Sequence, residues 1–390
     1  MIKKRILITC STFPRWEGDT EPRFILDYAK ALNEYYDVTV LAPSAPGAKE
    51  QETLEGVKVI RYRYFPIKKW ETLCYPGAIV PRIKQKKIRV LLVPFLLLSL
   101  YFNLINHSKN VDLVHAQWFI PQGILQSFVK KPYIITGHGT DVTTMNKNIF
   151  KALKKRAATK AKHVVTVSER LKNIIREFSD IPEDKLSIIS MGCNTKSFGQ
   201  QHRKENFFGQ GERKVVLFTG RLVEVKGLEY LIEAVKDLDV LLAIVGSGPL
   251  RETLQKQAEP IANKVVFLGS KTHDELKTIY ASADMFVAPS ITASDGSQEG
   301  FGLVIIEAMA SGLPVIGSQS GGIVDIIQHE ENGLLCPEKD SKQIAENIIK
   351  LSNDIDLCSR IKENGYKTAM QYDYSTIAKR YKEIIDSIIS

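Results

Sequence analysis

Twice along the chain, short runs rich in Val, Ile and Leu alternate with segments of helical periodicity. In the first half the runs are RILITC (5–10), DVTVLAP (37–43), DLVHAQ (112–117), YIITGHG (133–139) and HVVTVS (163–168). A second series follows: VVLFTG (215–220), VLLAIVGSG (240–248), KVVFLG (264–269), DMFVAPS (284–290) and PVIGS (314–318). Near-continuous apolar strands separated by helices are what a parallel sheet covered on both faces requires. Between the two series, residues 192–213 are polar and irregular. The order predicts an α/β protein of two tandem doubly wound domains: 1–195, a linker at 196–213, 214–371, and a closing helix at 372–390. A length of 390 residues accommodates two such domains. Ligands of these folds bind beyond the carboxyl ends of the strands, so the loops there are where chemistry is expected.

Five cysteines, at 10, 74, 193, 336 and 358, are odd in number, scattered and without a CxxC pair. That argues against a disulfide framework and a zinc site, and for a reducing compartment. The start MIKKRILITCSTF has too short an apolar stretch for a signal peptide and reads as a first strand, which places the protein in the cytoplasm.

The net charge of +9 is concentrated in the first half. Residues 58–89 hold ten Lys or Arg and one acid, Glu71, interleaved with Tyr62, Tyr64, Phe65, Trp70 and Tyr75. A second run, 147–162, has seven basic residues and no acid. Beside the first lies the most hydrophobic stretch of the chain, VLLVPFLLLSLYF at 90–102. It is shorter than the roughly 20 residues a spanning helix needs. It reads either as a core helix or as a patch that sits on a membrane, since cations and aromatics beside an apolar helix suit an anionic lipid surface. Nucleic acid could exploit the same charge, but no RNA-binding or helix-turn-helix pattern accompanies it.

The chemistry-bearing residues fall in loops after strands. In EGFGLVIIE (299–307), Gly300 and Gly302 permit a tight turn and a short helix is predicted from about 302 to 311. Glu307 then lies among Val304, Ile305, Ile306, Ala308 and Met309, where a carboxylate needs a partner. A glycosidase pair is a poor reading of Glu299 and Glu307. Eight helical steps span roughly 12 Å, against the ~5 to 9.5 Å such pairs need, so contact with two ends of one extended ligand fits better. In GRLVEVKG (220–227), Arg221 and Lys226 flank a bend and suit phosphate oxygens. In GHGTD (137–141), His138 stands between two glycines, and Thr140 or Asp141 could cap the next helix. Gly18, in the long first loop at 11–24, could bring backbone N–H groups to a phosphate. GSGPLR (246–251) imitates a dinucleotide fingerprint but has Arg251 in place of the third glycine.

Taken together, these segments resemble glycosyltransferase family 4, retaining sugar-nucleotide-dependent enzymes of the GT-B architecture, in which two Rossmann-like domains face across a cleft. The resemblance spans nearly the whole chain. It rests on EGFGLVIIE as an E-x7-E motif, on GRLVEVKG, on GHGTD, on SGGIVDIIQHEENGLL (320–335) and on MGCNTKSF (191–198). It implies that Glu307 receives the ribose hydroxyls of the donor and Glu299 faces its sugar. Arg221 and Lys226 would hold the diphosphate and stabilise it as it leaves, charge compensation that can do a metal's work. Gly300, Phe301, Gly302 and Leu303 would approach the sugar and phosphate through their backbone. His138, with Asp141 nearby, would lie near the sugar's 6-hydroxyl and the reacting bond. No metal and no cofactor are expected.

The family's paired glycines in the first loop are reduced here to the single Gly18 of WEGDT (16–20), a departure from its pattern. In relatives the first domain binds the acceptor, and both basic stretches and the apolar run lie there. The implied protein is a peripheral membrane hexosyltransferase at the inner face of the cell membrane. It would use a UDP-sugar by preference, or GDP-mannose, to extend a saccharide, lipid-linked, during polysaccharide or glycolipid assembly. A sugar-nucleotide epimerase of the same architecture, a non-catalytic binding module and, more distantly, an NAD-dependent enzyme are the alternatives.

Overall fold

The computed structural model describes residues 3–389 apart from 20, 78, 146 and 147. The chain forms two compact units, residues 1–190 with 374–390, and residues 191–373. Each is built on its own sheet with helices on both faces.

The first unit contains β1 (Arg5–Thr9), β2 (Asp37–Pro43), β3 (Gln51–Leu54), β4 (Val57–Tyr62), β5 (Leu113–Gln117), β6 (Tyr133–Gly137), β7 (His163–Thr166) and β8 (Leu186–Ile188). They lie in the order β3-β4-β2-β1-β5-β6-β7-β8. All neighbours are parallel except β3 and β4, an antiparallel hairpin at the edge. Glu55 and Gly56 turn this hairpin with positive φ at both positions, 47° and 86°. The five apolar runs of the first series are β1, β2, β5, β6 and β7. The hairpin was not apparent in them because QETL is a polar edge strand with one buried residue. Ile6, Ile8, Val38, Val40 and Ile134 pack against Ile25, Leu26, Ala29 and Leu32 of the helix Phe24–Leu32. The last helix, Tyr374–Ile389, joins the same core through Ile377, Ala378, Tyr381 and Ile385, and Tyr36 Oη donates to Asp386 at 2.7 Å.

The second unit contains β9 (Lys214–Thr219), β10 (Val240–Val245), β11 (Val265–Gly269), β12 (Met285–Ala288), β13 (Val315–Ser318) and β14 (Leu334–Cys336), all parallel, in the order β11-β10-β9-β12-β13-β14. Residues 196–213, expected as a linker, belong to this unit. Arg203 donates to the carbonyls of Ala281 and Ala283 and pairs with Asp284, and Phe198 is buried in the core, so the segment is pinned despite its polar composition.

The apolar run corresponds to a 3-10 turn, Lys87–Leu92, continued by the helix Val93–Ser108. Leu96, Leu100 and Leu104 are buried, whereas Leu91, Phe95, Leu98 and Phe102 are exposed, a second stripe at helical spacing. It is therefore neither a core helix nor wholly superficial. The stretch Lys87–Ser108 spans 22 residues, its most apolar 18-residue window has a mean hydropathy of 2.1, and it is long and apolar enough to cross a membrane, yet one face is seated on protein.

Candidate active site

In the second unit, four loops converge beyond the carboxyl ends of the strands. The loop after β9 carries Arg221 and Lys226, and the loop after β12 carries Ser290 and Glu299. Lys226 Nζ forms an ion pair with Glu299 Oε2, to which Ser290 Oγ also lies at 3.5 Å. Both side chains are mostly shielded from solvent. Arg221 is exposed and its guanidinium has no partner among the described residues, so the loop that carries Lys226 also carries a free cation.

Helix Leu303–Ala310 begins at Gly302, whose φ of 89° turns the chain out of the loop. Its Ile305, Ile306 and Met309 go to the core, and Glu307 extends from the helix toward Tyr280. Tyr280 Oη donates to Glu307 Oε2 at 2.8 Å and lies 2.6 Å from Thr219 Oγ1. Thr219 lines the same small cavity as Lys226, Ser290 and Glu299. Protein encloses the Glu307 carboxylate on most sides although part of the residue reaches solvent, and this desolvation pushes its pKa up to about 7 against the hydrogen bond from Tyr280. Tyr280 and Thr219 carry no motif, and their part here is visible only because β9 and the helix His273–Ser282 bring them to Glu307.

Two glycine pairs shape the loops. A Cβ on Gly322 would lie 2.5 Å from the Gly300 carbonyl oxygen, and the Gly322 N–H donates to the Glu299 carbonyl at 3.0 Å. The SGG segment thus supports the Glu299–Gly300 backbone from behind. A Cβ on Gly246 would lie 1.8 Å from the Gly220 oxygen, and one on Gly248 would lie 2.3 Å from the Leu222 oxygen. The dinucleotide-like GSG therefore exists so that two backbones can pass, which removes the main support for an NAD site.

In the first unit, the loop after β6 holds His138. Both oxygens of Asp141 are committed to backbone, accepting from His138 N and Gly139 N at 3.1 and 2.9 Å and from Phe119 N at 2.8 Å. Asp141, expected among the donor contacts, instead fixes this loop. His138 packs between Trp118 and Phe24, with ring centroids 5.2 and 5.3 Å away. Its Nε2 meets Gln117 Oε1 at 2.7 Å, and its Nδ1 is buried without a partner. Burial pushes the ring down to about 3, so it is neutral at physiological pH. Trp118 itself has a φ of 78°, a strained conformation for a bulky residue of the kind that gathers at functional loops.

Lys154 belongs to the second basic run yet is fully buried. Its Nζ donates to the carbonyls of Asp141, Val142 and Thr144 at 3.2, 2.8 and 2.9 Å, closing the short helix after His138. Arg156 lies over Phe128, 4.4 Å from the ring centre, and Lys155 pairs with Asp180, so three cations of this run have protein partners, while Lys151, Lys160 and Lys162 remain exposed. Gly18, proposed as a phosphate contact, sits in a turn closed by Asp19 N to Trp16 O at 3.2 Å. Its φ of 79° is a requirement of that turn, which the Arg15–Asp19 ion pair braces.

Comparison with known proteins decides the family. Residues 200–368 match the family described as "Glycosyl transferases group 1", and residues 22–197 match "Glycosyltransferase Family 4". An uncharacterized glycosyltransferase of Methanocaldococcus jannaschii is 31% identical over 353 residues, covering 85% of this chain and 84% of that one. This chain belongs to glycosyltransferase family 4. A GDP-mannose-dependent α-(1-6)-phosphatidylinositol monomannoside mannosyltransferase of Mycolicibacterium smegmatis is 26% identical, covering 90% of this chain and 89% of that one. Among solved structures, HepE of Anabaena in complex with UDP and glucose superposes with a TM-score of 0.72 at 20% identity, covering 98% and 100% of the two chains, a likeness of fold. Two Rossmann-like α/β units with parallel sheets are the GT-B architecture. Family membership disfavours the epimerase and NAD-dependent readings.

Proposed function

We propose that the protein transfers a hexose, with retention of configuration, from a nucleotide-diphosphate sugar to a hydroxyl of a lipid-linked saccharide during polysaccharide or glycolipid assembly. The observation that carries this reading is the grouping of Arg221, Lys226, Glu299 and Glu307 at one end of the second sheet. Glu307 accepts from the ribose hydroxyls, and Arg221 and Lys226 compensate the diphosphate charge. Glu299, now paired with Lys226, accepts from a sugar hydroxyl once the diphosphate takes the lysine. The anomeric carbon–oxygen bond breaks with its electron pair going to the diphosphate. The acceptor oxygen bonds to the same face of the sugar, and its proton passes to the departing phosphate oxygen. Two cations at the diphosphate make a metal unnecessary. A UDP-sugar is the favoured donor, with GDP-mannose, the donor in the mycobacterial relative's name, as the second candidate.

The acceptor side is a membrane surface. Leu91, Leu98 and Phe102 are 64%, 56% and 64% exposed, and Trp70 is 52% exposed nearby in sequence. Lys84, Lys86 and Lys87, which precede or open the 3-10 turn leading into this helix, are exposed and free of ion pairs among the described residues. An apolar stripe ending in bare lysines suits the inner, anionic leaflet, and a cytoplasmic enzyme held there meets a lipid-linked acceptor directly.

The donor is identified by thermal stabilisation with a panel of UDP- and GDP-sugars without metal, using Arg221→Ala and Glu307→Ala as controls. A shift with one donor, lost in both variants and unchanged by EDTA, is expected. No shift with any sugar nucleotide would overturn the reading. Co-sedimentation with anionic vesicles at low salt tests the membrane. If neither Leu98→Asp nor neutralisation of Lys84, Lys86 and Lys87 weakens it, the surface is misassigned.

A further inference from the structure

The loop that carries Glu299 is tied to the second unit by two carboxylates, each holding one residue twice. Glu338, in the loop after β14, accepts from Thr292 N at 2.8 Å and from Thr292 Oγ1 at 2.9 Å. Glu224, in the turn between Arg221 and Lys226, accepts from Ser294 N and Ser294 Oγ, both at 2.8 Å. The two ties differ in their surroundings. Ser294 and Glu224 are exposed, where water competes for the same bonds. Thr292 and Glu338 are half-buried, and Thr292 Oγ1 is itself met by Gln298 Nε2 at 2.8 Å. Gln298 is the chain neighbour of Glu299. Partial burial works against the charge of Glu338, but the hydrogen bonds it accepts hold its pKa below the ordinary carboxylate value, so it is ionised at neutral pH. An ionised carboxylate only accepts, so the Thr292 hydroxyl gives its proton to Glu338 and keeps its lone pairs for the amide of Gln298. The polarity of this relay is set at Glu338.

We propose that Glu338 is a positioning residue for the donor sugar: through Thr292 and Gln298 it holds Glu299 in place once the diphosphate has taken Lys226. This rests on the reading given above, in which Glu299 accepts from a sugar hydroxyl. In the empty protein Lys226 anchors the Glu299 carboxylate, and a diphosphate that draws the lysine away removes that anchor. The position of Glu299 must then come from the chain on either side of it. Behind, the Gly322 N–H holds the Glu299 carbonyl at 3.0 Å. In front stands Gln298, whose side chain reaches back across the loop to Thr292. Between these two residues the loop closes on itself, with Ala293 N donating to Ser297 O and Gly296 N to Ala293 O, each at 2.9 Å. Thr292 and Gln298 are thus the two feet of the loop, and Glu338 holds one of them directly and the other through it. Among the described residues, none of Glu338, Thr292 and Gln298 bonds to Arg221, Lys226 or Glu307, so the relay bears on the sugar and leaves the nucleotide contacts alone. No sequence motif marks Glu338. It lies 46 positions beyond Thr292 and is brought to it by the parallel order β12-β13-β14.

The test has two arms, both on the full chain. In the first, calorimetry compares wild type with Thr292→Val, which keeps the shape and the backbone N–H but removes the hydroxyl. Affinity for UDP-glucose or GDP-mannose, whichever stabilises the wild type, should fall by about tenfold, while affinity for the matching UDP or GDP stays within about twofold. With Glu299→Ala already in place, adding Thr292→Val should change sugar-nucleotide affinity by less than about twofold, because the residue it positions is gone. Equal losses for sugar nucleotide and diphosphate, or losses that add in the double variant, overturn the proposal. So does an equal loss in Ser294→Ala, since slack anywhere in the loop would then be enough. The second arm needs no ligand. In Glu338→Ala, hydrogen exchange in peptides covering 291–299 should be about tenfold faster than in wild type, with β9 and β13 unchanged. Unchanged exchange over 291–299 overturns the proposal. If neither a sugar nucleotide nor UDP or GDP binds the wild type, the donor-site reading fails and the role of Glu299 falls with it, while exchange still decides whether Glu338 holds the loop.

Discussion

Replacing Glu307 by Gln should make the empty protein more stable and the site worse. The carboxylate is held at a pKa of about 7, above the ordinary 4.5, because burial penalises its charged form. Between those values the folded state binds more protons than the unfolded state, so stability falls as pH rises from about 4.5 and the full penalty is present above about 7. A rise of roughly 2.5 pK units corresponds to about 3 kcal/mol at pH 8 and to nothing below about pH 4.5. Glutamine keeps the shape and an oxygen for Tyr280 but removes the charge. Urea unfolding of wild type and Glu307→Gln at pH 5, 7 and 8.5 should therefore show a stabilisation that grows with pH. Donor affinity should move the other way, by about 1.5 to 3 kcal/mol for each lost hydrogen bond between the carboxylate and a ribose hydroxyl. In the wild type that affinity should drop about tenfold for each pH unit below 7, because the protonated carboxyl is no longer a double acceptor. A Glu307→Gln protein that is less stable at pH 8.5, or a difference that does not change with pH, would refute the reasoning and make Glu307 a structural residue.

Removal of the Lys154 ammonium by Lys154→Met leaves three carbonyls without their donor and should cost about 2 to 4 kcal/mol, read as a lower melting temperature. Gly322→Ala drives a methyl into the Gly300 carbonyl, so the Glu299 loop must shift, and calorimetry should show donor affinity falling by about tenfold or more while the fold, read by circular dichroism, persists. Gly246→Ala meets the Gly220 oxygen at 1.8 Å with no slack in either backbone, and expression should yield insoluble protein. Binding to anionic vesicles should weaken between 0.05 and 0.5 M salt as the lysines are screened, with the Debye length falling from about 14 to about 4 Å, whereas Phe102→Asp should weaken it at every salt.

Much of this protein is determined by its sequence read alone. The alternation of apolar runs with helical periodicity is enough for two parallel-sheet units, because a strand buried on both faces leaves almost no choice of residue. The same holds for the Glu-Gly-Phe-Gly turn and the Arg and Lys after β9, whose chemistry is carried within a few positions of each other. The edge hairpin was hidden, since an edge strand with one buried residue has too few apolar positions to show a period. The tertiary structure alone decided which polar residues face one another. Tyr280 reaches Glu307, Gly246 passes under Gly220, and Lys154 leaves a basic run to become a buried clamp. Gln117 meets His138 only because two parallel strands are in register. Hydrogen bonds and desolvation act over a few ångströms in space, whatever the separation along the chain, so these partnerships, and the protonation states that follow, exist only once the sheets have formed.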